Sequence, residues 1–190
     1  MKIEQRRLRG LFEITPEAST DHRGSFTRLF DIETFMAAGL NTVWAQESRS
    51  HTAKKHTVRG IHASLPPALE GKTITPVRGD VLWIAVDVRR GSETFGNWEA
   101  VRLSSATYNT LYAARGFAHG CVSLTDDCDL LLRADTPYSD YHGTGIAWND
   151  PDLAIDWGLN GGVPIMSDRD RSYPSFRHFR DTIGGVDPSH

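Results

Sequence analysis

A chain of 190 residues, 39% hydrophobic and 24% charged, has the balance of an ordinary globular protein, which excludes intrinsic disorder. Its formal charge of −3, from 21 Lys+Arg against 24 Asp+Glu, exerts no overall attraction on nucleic acid or an anionic membrane, so an anionic ligand has to be held locally. No run approaches a membrane span, and the opening MKIEQRRLRG lacks the apolar segment of a secretory signal, which makes the cytoplasm the expected address.

The length suffices for a core without disulfides or structural metal. No repeat, low-complexity tract or long linker interrupts the chain, so one domain over residues 1–190 is expected. In chain order, the first clear element is a helix in DIETFMAAG. Asp31 can cap it, Ile32, Phe35 and Met36 fall on one face, and Gly39 can end it at positive φ. That face is expected to pack on the outside of the fold. From residue 43 onward, runs rich in β-branched and aromatic residues predict strands at 73–77, 81–88, 100–103, 108–114, 120–124 and 129–135. Turn residues separate them at Arg78-Gly79-Asp80, Arg90-Gly91-Ser92 and Thr125-Asp126-Asp127. Their number and spacing predict an all-β antiparallel sandwich or barrel such as a jelly roll. Farther on, Trp148, Trp157, Tyr173, Phe176 and Phe179 stand isolated among loop signals, which predicts irregular segments and short helices over one barrel end. Cys121 and Cys128, the only cysteines, read as lying on two arms of a hairpin, as buried reduced thiols rather than a disulfide.

Few residues offer chemistry. His62 and His119 both lie in strand-like stretches, and a barrel that turns alternate residues inward can bring them together. Either reads equally as a hydrogen-bonded core histidine. Ala63 and Ser64 follow His62, so no His-x-His pair forms, and two imidazoles are fewer than the three protein ligands of a catalytic metal. No metal or other cofactor is expected. Lys72 begins a strand whose inner face directs its ammonium to the same cavity, where it could stabilise an oxyanion; the alternative is a solvated lysine at a strand edge. Arg23 and Phe26, with Arg59, have the chemistry of a phosphate and nucleobase clamp, and the arginines equally fit a solvated surface.

An ordered series of motifs resembles the RmlC-like nucleotide-sugar epimerases across nearly the whole chain. It runs through Asp21-x-Arg23-Gly24-x-Phe26, Gln46-Glu47-Ser48 with Ser50, Arg59-Gly60-Ile61-His62 and Gly71-Lys72. It continues with Val86-Asp87-Val88-Arg89, Ser92-x-Thr94-Phe95-Gly96-x-Trp98 and Gly116-Phe117-Ala118-His119-Gly120. Trp148-Asn149-Asp150-Pro151 and Met166-Ser167-x-Arg169-Asp170 complete it. The resemblance implies a cupin-type jelly-roll barrel with a few short peripheral helices, a homodimer, no metal, and a nucleoside-diphospho-4-keto-6-deoxysugar as substrate. It makes His62 the base, Asp170 the carboxylate that orients it, and Lys72 the stabiliser of an enolate oxygen. His119 would line the sugar pocket, Arg23 and Arg59 would grip the diphosphate, Phe26 would lie near the nucleobase, and Gln46 would add a polar contact.

The same resemblance marks departures. Leu132 stands where the family usually has a proton-delivering tyrosine, while Tyr138 matches a second family tyrosine. Trp83 occupies a common aspartate position, Ala63-Ser64 replaces a frequent Tyr-Gln, and Ser48 replaces an asparagine. A drier cavity follows, suited to a different sugar or to inversion at one centre only. A ketoisomerase-like relative and a nucleotide-sugar binder without turnover are the alternatives that these departures leave open.

Overall fold

The computed structural model describes residues 1–139 and 142–189. Strands are numbered in chain order. A six-stranded sheet has the spatial order β1 (Lys2–Gln5), β2 (Leu11–Thr15), β10 (Thr110–Ala113), β7 (Lys72–Arg78), β12 (Cys128–Ala134) and β5 (Gln46–Thr52). A five-stranded sheet follows the order β13 (Gly143–Gly145), β6 (Val58–Ser64), β11 (Phe117–Ser123), β8 (Asp80–Asp87) and β9 (Trp98–Ser104). β3 (Ala18–Asp21) and β4 (Gly24–Thr27) form a separate hairpin. All of these strand pairings are antiparallel.

The two large sheets face each other and share a core in which Ile74, Leu111 and Leu130 of one meet Val81, Trp83 and Leu103 of the other. This is the cupin-type jelly roll, with short helices at its periphery. β8 turns Trp83 and Ala85 inward, while Ile84 and Val86 face outward under Trp157, Phe176 and Phe179 from the C-terminal segments. Both faces of the strand are buried, which is why 81–88 reads as a nearly unbroken apolar run instead of an alternating one. Two short helices, α2 (Asp168–Arg171) and α3 (Phe176–Ile183), belong to this cover, as the isolated aromatics led one to expect. No helix among the described residues is long and apolar enough to cross a membrane.

The first helix, α1 (Ile32–Ala37), forms as expected: the Asp31 carboxylate accepts from the Thr34 backbone N–H at 3.0 Å, and Gly39 follows at φ +70°. Its packing differs from the expected stripe. Only Phe35 is buried, against Ile14, Leu40 and Tyr112, while Ile32 and Met36 stay 52% and 64% exposed. A helix of under two turns presents one side chain squarely to the sheet and leaves its neighbours at the rim. The two cysteines also need correcting. Both are buried free thiols, but β11 and β12 lie in opposite sheets, so the turn between them crosses the barrel and does not close a hairpin. Burial pushes the Cys121 thiol up to about 12, which keeps it protonated and unreactive.

Candidate active site

β6 positions the central imidazole by breaking its own register. Cys121 of β11 pairs with Arg59 and His119 pairs with His62, so β6 spends three steps where β11 spends two. In a regular strand Arg59 and His62 would point to opposite faces; the extra residue lets both face the interior. Gly60 occupies the irregularity at φ +105°, where a Cβ would lie 2.5 Å from the His119 carbonyl oxygen, so only glycine fits.

Asp170 uses the same irregularity. Ser167 caps α2 by accepting from the Asp170 N–H at 3.1 Å, which sets the carboxylate against β6. One carboxylate oxygen accepts from Gly60 N–H at 3.1 Å, and the other lies 2.8 Å from His62 Nε2. Asp170 is buried and His62 is half exposed to the cavity. With Nε2–H donating to the carboxylate, Nδ1 is left as the basic nitrogen. The Tyr173 ring stands edge-on to the imidazole at 5.7 Å between centroids and helps fix its plane.

The cavity has two chambers that share His62, Lys72 and Leu132. The outer one, about 300 Å³, is also lined by Gln46, Glu70, Tyr138 and Arg169. The inner one, about 180 Å³, is floored by buried Trp83, His119 and Cys121 and flanked by Arg59. Inward positions of β7 and β12 supply Lys72 and Leu132, two residues from the core positions Ile74 and Leu130. Lys72 Nζ pairs with Glu70 Oε1 at 2.6 Å, and Ser64 Oγ donates to the same oxygen at 2.9 Å. Gln46 Oε1 accepts from the Tyr138 backbone N–H at 3.1 Å, tying the two together. The Arg59 guanidinium donates to Thr52 Oγ1 at 3.2 Å and to the His51 carbonyl at 3.0 Å.

Eight of the ten residues singled out in the sequence therefore gather here: His62, Asp170, Lys72, Gln46, Arg59, His119, Leu132 and Tyr138. Arg23 and Phe26 do not. They sit on the β3–β4 hairpin, line neither chamber, and stand open: Phe26 is 68% exposed and Arg23, among the described residues, pairs with Asp21 alone, at 2.6 Å. Glu70 and Tyr173 are not singled out for the site by the sequence, and Ser64 and Arg169 enter there only as a departure and as part of a motif, without a role. Glu70 sits two residues before Lys72, a spacing that puts both on one side of an extended chain. Arg169 lies beside the hydroxyls of Tyr173 and Tyr138, which raise its pKa above the ordinary guanidinium value.

A jelly-roll barrel with this cavity belongs among the isomerases, as comparison with known proteins shows. The family described as dTDP-4-dehydrorhamnose 3,5-epimerase matches residues 5–178. A dTDP-4-dehydrorhamnose 3,5-epimerase of Mycobacterium tuberculosis is 35% identical over 182 residues, 95% of this chain and 90% of its own. The structure of a 4-keto-6-deoxy sugar epimerase from the novobiocin cluster of Streptomyces spheroides superposes with a TM-score of 0.92 at 32% identity, covering 100% of this chain and 94% of that one. A 3′-monoepimerase of Streptomyces bikiniensis, held in complex with dTDP-quinovose, superposes at 0.87 with 31% identity, covering 94% and 89%. The chain belongs to the dTDP-4-dehydrorhamnose 3,5-epimerase family.

Proposed function

We propose that the protein epimerises a nucleoside-diphospho-4-keto-6-deoxysugar next to its ketone. The C4 carbonyl acidifies the hydrogens on C3 and C5. His62 Nδ1 removes one of them, and the electron pair of that C–H bond becomes the C–C double bond of an enolate whose negative charge rests on O4. Lys72, on the cavity wall beside His62, stabilises that charge, and return of a proton to the opposite face inverts the centre. Asp170 holds the imidazole in the tautomer that leaves Nδ1 basic and offsets the charge it gains.

The observation that carries this reading is the 2.8 Å His62–Asp170 contact opening on the chamber that Lys72 lines. Arg59 and Gln46 have the chemistry to hold the diphosphate and sugar, and Tyr138 to close the outer chamber over them. Leu132 favours inversion at one centre: a side chain with no acidic proton lines both chambers together with the base, so water or another group has to complete protonation there. The dTDP-sugar of the related monoepimerase supports a nucleotide-linked sugar as the ligand. Arg23 and Phe26 line neither chamber of their own chain, and we infer that they serve the site of a second copy, which makes a homodimer part of the proposal; the cytoplasm remains its expected address.

Deuterium incorporation at C3 and C5 of a dTDP-4-keto-6-deoxysugar tests the reading. The wild-type chain is expected to exchange at least one of these positions and accumulate a stereoisomer, and His62→Ala to lose exchange. Exchange undiminished in His62→Ala would remove it as the base. A shifted carbonyl would mark a ketoisomerase, and nucleotide binding without any exchange would mark a binder.

A further inference from the structure

We propose that Trp83 holds His119 as the neutral tautomer with its proton on Nε2, and that this N–H joins Lys72 at the ketone oxygen; the second step rests on the epimerase reading above. Across β8 and β11, Trp83 Nε1 lies 3.3 Å from His119 Nδ1 in a hydrogen bond. An indole N–H can only donate, so Nδ1 is the acceptor, and in a neutral imidazole the proton then sits on Nε2. His119 is 5% exposed, and its Nε2 is buried with no hydrogen-bond partner among the described residues. Buried polar groups are seldom left so, and because His119 lines the inner chamber, the partner assigned to this nitrogen is a ligand atom in that chamber.

The surroundings oppose an imidazolium. Burial first, then the nearby charges of Lys72 and His62, push His119 well below the ordinary imidazole value. The titratable and charged groups lining this chamber are Arg59, His62, Lys72 and Cys121, with no carboxylate among them to support a positive ring. A neutral N–H fixed on the buried floor of this chamber suits a developing oxyanion, because it stabilises charge without first having to gain a proton. The need for a second donor is physical: the Lys72 ammonium is already shared with Glu70 at 2.6 Å. On this assignment His119 is a catalytic residue and Trp83 a positioning residue.

Nitrogen-15 NMR of the histidine-labelled full-length chain reads the tautomer directly. His119 is expected to show a bare Nδ1 and a protonated Nε2 throughout the pH range in which an ordinary imidazole titrates. Trp83→Phe keeps the bulk and loses the donor; it is expected to mix or reverse the tautomer and to lower kcat about 10–100-fold with little change in KM. His119→Ala is expected to lower kcat about 10²–10³-fold, and His119→Gln, a neutral N–H donor that cannot become a cation, to recover part of that loss. An imidazolium or an Nδ1–H tautomer in the wild-type chain overturns the inference without touching the epimerase reading, and this result needs no variant to fold. An unchanged tautomer and kcat in Trp83→Phe, or no advantage of His119→Gln over His119→Ala, also overturns it. Absence of exchange by the wild-type chain strikes the epimerase reading instead, while the NMR result still decides what Trp83 does to the ring.

Discussion

Leu132 borders both chambers, together with the proposed base and the proposed oxyanion partner. Its cross-strand neighbours are Ser48 and Ile74, neither of which can deliver a proton as a phenol could. An enolate formed there has a base on one side and little to protonate it on the other. Exchange with solvent through His62 itself, which returns a proton to the face it left, then competes with inversion. Leu132→Tyr places a phenol on that wall and is expected to raise the ratio of inversion to exchange several-fold, measured by following deuterium incorporation and stereoisomer formation in one reaction. An unaltered ratio would mean that protonation comes from elsewhere in the cavity. Asp170→Asn addresses the opposite side of the reaction: an amide can hold the ring but not its charge, and exchange is expected to fall about 10²–10⁴-fold.

At the scale of elements, the strands that bury two faces were easy to read and those that bury none were not. β8 announces itself because its inner and outer positions both meet protein, giving the run 81–88, and β12 does so through three consecutive leucines although Leu131 and Leu132 are only partly buried. β5 does not: its inward residues Gln46, Ser48 and Ser50 border the cavity instead of the core, so no apolar alternation marks it. The β3–β4 hairpin is exposed along its length and equally silent. Candidate site residues were legible one by one from their types, but the register break at Gly60 that turns Arg59 and His62 to the same side is a tertiary fact with no pattern in the chain. The end of β8 shows what anchors such a frame. Buried Asp87 accepts from Arg89 Nη2 at 2.7 Å, from Ser92 Oγ at 2.7 Å and from Thr94 Oγ1 at 2.6 Å, fastening the loop that follows. Burial pushes its carboxyl up, but the Arg89, Thr94 and Ser92 hydrogen bonds outweigh that and hold it below the ordinary carboxylate value. A pKa lowered by folding contributes stability above the unfolded value and loses it as pH falls through the folded one. Asp87→Asn is expected to cost about 3–5 kcal/mol at neutral pH, seen as a lower midpoint in urea, and to flatten the acid limb of the stability profile.

At the scale of the whole molecule, one chain holds the proposed base, the proposed oxyanion partner and a cavity, yet two of the residues proposed to grip the nucleotide stand elsewhere. Arg23 and Phe26 project from a hairpin that pairs with neither large sheet, and a phenyl ring 68% exposed is free to cover something outside its own chain. In a two-fold dimer each hairpin can complete the other copy's cavity, because whatever the first chain lends it also receives. Mixing two crippled chains separates this from a hairpin that serves its own cavity. His62→Ala lacks a base but keeps its hairpin; a chain carrying Arg23→Ala and Phe26→Ala keeps the base but lends a poor hairpin. If hairpins are exchanged, half of the randomly reassembled dimers are mixed, and in each of those one of the two sites joins an intact base to an intact hairpin. Activity is then expected to return to about a quarter of the wild-type rate after the two inactive proteins are unfolded together and refolded. If each hairpin serves its own chain, no mixed dimer contains an intact site, and the mixture stays as inactive as its parts.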